Sequence, residues 1–147
     1  MRGALICILL LAQIPPAGAA DWIALSIPRT EDRYFYDRSK LVVDGDDVTY
    51  WKKALFNPPR PVKNQLAHSA LMRERINCHE HTLRLLSYLY YDVHGTVIEY
   101  VTEAEKQGDP IIPETVGDRF EQALCALPKE SDSHPARDAS KIDTHAF

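Results

Sequence analysis

The stretch RINCHEHTL, residues 75 to 83, sets Cys78, His79, Glu80 and His81 side by side, and thiolate, imidazole and carboxylate are the usual ligands of zinc. Two residues apart, His79 and His81 in a strand would point to the same side, as a metal-gripping pair must. The zinc-protease motif instead needs two histidines one helical turn apart with a glutamate after the first, and HEHTL does not provide it. Two ligands are too few for a structural or catalytic zinc. The candidates for a third, His68, Glu74 and His94, are scattered along the chain with nothing in the sequence to gather them. Both histidines are therefore expected to be solvated strand residues beside a structural cysteine, with no metal assigned. A metal or haem site on His79 and His81 is the sharper alternative.

Other chemistry has less to stand on. DGDD at 44–47 reads as a turn and lacks the oxygen-ligand spacing of a calcium loop, and EAEK at 103–106 is a second acidic run. No serine occupies a nucleophile elbow or an SxxK arrangement, so no catalytic residue and no cofactor are expected. Lys52 and Lys53 beside Trp51 fit a strand with one buried aromatic and two solvated lysines, or part of a binding face.

Compartment decides the role of the cysteines. Arg2, the apolar run from Ala4 to Leu11 that reaches Ile14, and the closing PPAGAA form a secretory signal peptide, too short in its apolar part to span a bilayer. Cleavage after Ala19 or Ala20 fits, and Asp21 is taken as the new start. Cys7 follows bulky Ile6 in the middle of the apolar core, where a lipid-anchor cysteine does not belong. Loss of Arg2 leaves a net charge one unit more negative than the −4 of the whole chain. With no basic cluster, nucleic acid is discounted as a partner, and no second apolar run is long enough to span a membrane. Cys78 and Cys125 are then an even pair in an oxidising compartment and are expected to be bonded to each other. Closing that loop stabilises the fold by about 4 kcal/mol on the loop-entropy model.

The elements that would position these residues are mostly short and extended. WIALSI at 22–27, RYFYDRS running toward the Asp44-Gly45-Asp46 turn, and Val48 to Phe56 are candidate strands. The prolines of NPPRP predict a loop at 57–63. From Leu71 to Val101 the expectation is antiparallel sheet, with Met72, Ile76 and Cys78 on one face, Arg73, Arg75 and Asn77 on the other, and a hairpin through TLRLLSYLYY, DVHG and TVIEYV. Thr115 with Asp118 approximates a capping box. Val116, Phe120, Leu124 and Leu127 then recur at helical spacing up to Pro128, with Cys125 near the edge of the apolar stripe. The last nineteen residues are charged and polar and read as a disordered tail at 129–147.

DWIAL, YFYD followed by DVTYW, INCHEHTLRLLSYLYYDVHG and IIPETVGDRFEQALC, in that order, resemble the surface-adhesin protein E family of Gram-negative bacteria. The likeness covers roughly residues 21 to 128, with residues 1–20 the signal peptide before it. It implies an α+β fold: an antiparallel sheet of about six strands with a C-terminal helix held on its concave face by a disulfide, at positions matching Cys78 and Cys125. It also implies a non-enzymatic adhesin binding host extracellular-matrix glycoproteins such as vitronectin and laminin, located in the periplasm or on the outer-membrane surface. Exposed strand edges suit a homodimer as well. The alternatives in other classes are a periplasmic metal- or haem-binding protein and an envelope structural factor.

Overall fold

The computed structural model describes residues 19–102 and 106–127. The leader read at 1–20, apart from its last two residues, and the tail read at 129–147 lie outside the described residues. In chain order the elements are β1 (Trp22–Leu25), β2 (Arg33–Asp37), a single 3-10 turn (Arg38–Lys40), β3 (Val42–Asp44), β4 (Asp47–Val62), β5 (Gln65–Asn77), β6 (Thr82–Tyr91), β7 (Val97–Thr102), β8 (Asp109–Pro110) and α1 (Val116–Cys125). Among the described residues no helix is long and apolar enough to cross a membrane.

All strands pair antiparallel in one sheet, in the order β1-β2-β4-β5-β6-β7. The sheet has eight strands rather than about six, and length explains the difference. β4 runs for 16 residues, of which β2 covers only Lys52 to Leu55, and the short β3 pairs with Thr49 to Asp47 on the same side. Likewise β8 pairs with Thr82 and Leu83 of β6, where β7 does not reach. The two additional strands extend existing columns of the sheet.

The loop expected at 57–63 is instead the far half of β4. Arg60, Pro61 and Val62 pair with Ala67, Leu66 and Gln65, and the turn is confined to Lys63 and Asn64. Pro58 and Pro59 are tolerated because the ladder shifts register between Leu55 and Arg60, where a missing N–H breaks no pairing. β2 has also ended by then, so this arm has a neighbour on one side only. β5 accordingly starts at Gln65, six residues before the stretch expected as sheet.

Two turns follow their sequence signals. Gly45, with φ +59, turns β3 into β4, and Gly95, with φ +81, turns β6 into β7, backbone that suits glycine. The Asp92 carboxylate accepts from the His94 and Thr96 N–H groups in the second turn.

Alternation along β4 and β5 divides the sheet into two faces. Tyr50, Lys52, Ala54 and Phe56 share one face with Met72, Glu74 and Ile76, and α1 packs there through fully buried Phe120 and Leu124. Burying each of those two side chains stabilises the fold by roughly 1.5–3 kcal/mol. The Thr115 hydroxyl caps the helix by accepting from Asp118 N–H, and the Asp118 carboxylate accepts from Glu114 N–H. Cys125 at the end of α1 is bonded to Cys78 just past β5, with Cα atoms 5.8 Å apart, so the helix is tethered to the sheet at its C-terminal end.

Candidate functional site

Under the helix lies a buried polar group that the sequence did not announce. Glu74, 3% exposed, accepts a hydrogen bond of 2.6 Å from the Tyr50 hydroxyl and pairs with the Lys52 ammonium, itself 8% exposed. The Phe120 ring closes the group from above, stacked on Tyr50 at 5.3 Å, with Lys52 Nζ 5.5 Å from its centroid. Burial, and then the charge and hydrogen bond of Glu74, push the Tyr50 phenol well above its ordinary pKa. Its proton is held rather than poised for transfer. Every buried side-chain nitrogen and oxygen among the described residues has a partner, which marks this group as core and not as a vacant ligand site.

Lys52 therefore departs from the expectation of two solvated lysines. The two lysines are successive strand residues and must point to opposite faces, so one of them goes inside with Tyr50 and Ala54. Trp51 is half-buried on the opposite face, together with Lys53.

That opposite face is not the one against which α1 packs. Following the register across it, Ala24 lies beside Phe35, Phe35 beside Lys53, Lys53 beside Leu71, Leu71 beside Leu89 and Leu89 beside Tyr100. One row thus crosses all six columns of the sheet, apolar at every position except Lys53. Its two ends, Ala24 and Tyr100, are exposed, Tyr100 at 60%, and the residues between are half-buried. The Lys53 ammonium lies 4.2 Å from the Trp22 ring centroid and 5.1 Å from that of Phe35, so it caps two aromatic rings. Arg33, Arg73 and Arg75 flank the row on the same face. Aromatic, aliphatic and arginine side chains on a broad exposed surface have the composition of a protein-binding patch. This surface is the candidate site. Its signal in the sequence was the alternation of Trp51, Lys53 and Leu55 and of Leu71 and Arg73, but only the strand register aligns them.

His79 and His81 are not strand residues. β5 ends at Asn77, whose side-chain oxygen accepts from the His79 and Glu80 N–H groups and folds residues 78–81 into a turn. His81 has φ +55, and its Nδ1 lies 2.8 Å from the Glu121 carboxylate on α1, while His79 is exposed. The same-side geometry expected of a strand pair is lost in the turn. No group of three or more His, Cys, Asp or Glu among the described residues is arranged to hold a metal ion.

The architecture defines a class: one antiparallel sheet, closed on one face by a disulfide-held helix and, among the described residues, open on the other. The chain belongs to the surface-adhesin protein E family, whose model matches residues 22–126. Solved structures of protein E from Haemophilus influenzae share the fold. One is 19% identical, the alignment covering 77% of this chain and 90% of that one with a TM-score of 0.50. A second crystal form is 16% identical, with coverages of 76% and 92% and a TM-score of 0.52. No curated protein matches the chain.

Proposed function

We propose that this protein is an exported, non-enzymatic surface adhesin that binds extracellular-matrix glycoproteins of a host through the open face of its sheet. The observation that carries the reading is the row from Ala24 through Phe35, Lys53, Leu71 and Leu89 to Tyr100. It is broad, largely apolar and, among the described residues, not covered by a helix, on a fold whose other face is spent on α1. Membership of an adhesin family supports the same reading. The buried group of Tyr50, Lys52 and Glu74 is paired within itself, which leaves recognition to the surface.

Two measurements test it. Protease treatment of intact cells of the native bacterium, with a periplasmic protein as protected control, should digest this protein; protection until the outer membrane is permeabilised refutes surface adhesion. Binding of the exported chain to immobilised vitronectin and laminin should then fall about tenfold or more in the double variant Tyr100→Ala/Arg73→Glu, since arginine and tyrosine anchors carry most of an interface's energy. Unchanged binding removes the open face from the mechanism.

A further inference from the structure

Three cations of the open face make no ion pair within the described residues. Of its arginines, Arg75 lies 3.9 Å from the Asp47 carboxylate and donates to Thr49. Elsewhere Arg38 pairs with Asp21, Arg60 with Asp32, and even widely exposed Arg29 approaches Glu114. Arg33 and Arg73 have no side-chain hydrogen bond or ion pair within the described residues, and Lys53 between them has only the rings of Trp22 and Phe35. The chain carries 21 acidic residues against 17 basic ones, so this is not for want of carboxylates.

The three cations are also in line. Arg33 on β2 is opposite Leu55, and Lys53 is two residues along β4 from Leu55. Lys53 in turn is opposite Leu71, and Arg73 is two residues along β5 from Leu71. Each step crosses one strand spacing of about 4.8 Å and advances two residues, so successive Cα atoms are about 8 Å apart on a diagonal. This diagonal cuts the apolar row at Lys53, with Phe35 and Leu71 on either side of it.

We infer that the open face recognises an acidic segment of a protein partner, whose carboxylates lie along Arg33, Lys53 and Arg73 and whose apolar side chains lie against Phe35, Leu71, Leu89 and Tyr100. The inference rests on the adhesin reading of the same face and names the chemistry of what is bound. Guanidinium groups on a surface of low polarity pair carboxylates in two-point fashion and set register and association rate. The apolar row is what separates a protein segment from a bare polyanion, because a sulfated polysaccharide would satisfy the cations and leave the row uncovered.

The test uses the exported chain and three labelled synthetic peptides in fluorescence anisotropy: one with glutamates interspersed among leucines and phenylalanines, one with lysine for each glutamate, and one with serine for each apolar residue. Heparin serves as the polyanion without apolar groups. The acidic apolar peptide should bind best, and more weakly as salt shortens the Debye length from roughly 14 to 6 Å. Arg73→Glu and Arg33→Glu should each weaken it about tenfold or more, while Lys106→Glu, an equal charge change on an exposed connection, should leave it within about twofold. Equal binding of the lysine peptide, no effect of the Arg33 and Arg73 changes, or tighter binding of heparin overturns the inference, the last by assigning the cations to a polysaccharide. Peptide binding without binding to vitronectin or laminin refutes the matrix-adhesin reading and leaves the surface chemistry standing. Matrix binding that ignores both arginine changes does the reverse.

Discussion

Replacing Glu74 by leucine removes the centre of the buried polar group and leaves two orphans. Lys52, at 8% exposure, keeps its charge with no carboxylate, and the Tyr50 hydroxyl, on a side chain with no exposure, loses its acceptor. Breaking one side of a buried ion pair costs about 3–5 kcal/mol, and an unmade buried hydrogen bond costs a further 1–3 kcal/mol or so, although the two share one site and will not add fully. The expected loss for Glu74→Leu is therefore about 4–6 kcal/mol, a large part of the stability of a small domain. If the cause is the orphaned charge and not the lost contact, removing the partners restores stability. Glu74→Leu/Lys52→Met should recover about half of the loss. Adding Tyr50→Phe should bring the triple variant within about 2 kcal/mol of the parent, since a buried pair is often no better than its apolar replacement. Urea unfolding followed by circular dichroism, with the slope m checked for constancy across variants, reads these differences. The reasoning is refuted if Glu74→Leu costs under about 1 kcal/mol, or if the triple variant is as unstable as the single.

The same cluster predicts an alkaline limit. The unfolded chain releases the Tyr50 proton near 10.0 while the folded chain holds it to higher pH, so stability is complete below 10.0 and falls as pH rises beyond it; Tyr50→Phe should flatten that fall in urea midpoints measured from neutral to alkaline pH. Opening the Cys78–Cys125 bond by Cys125→Ser should cost up to about 4 kcal/mol, and alkylation with mass analysis should find two thiols in the parent only after reduction. Thr115→Ala removes the hydroxyl that accepts from Asp118 N–H and should cost about 1 kcal/mol in urea unfolding.

Much of this fold was legible because it depends on local rules. Alternation and turn residues located β1, β2, the first half of β4 and the β6–β7 hairpin, and Thr115 with the Phe120 and Leu124 spacing located α1. The proline arm was misread because a proline's lost hydrogen bond matters only where a partner needs it, and the β4–β5 register shift removes that need. The histidines were misplaced in a strand because Asn77 ends β5 by accepting backbone hydrogen bonds at its side-chain oxygen, which no pattern of hydrophobicity records.

What the sequence by itself determined was the antiparallel strand-and-helix class, most of the strands with the helix, and the pairing of Cys78 with Cys125 once export is assumed. Those follow from backbone period and cysteine count, which act within a few residues or on composition alone. Tertiary structure alone decided that Lys52 meets Glu74 beneath Phe120, and that Arg33, Lys53 and Arg73 fall on one diagonal with no ion pair among the described residues. Both depend on strand register, which is set by the packing of the whole sheet, and a shift of one residue in β4 against β5 would exchange every inward side chain for an outward one.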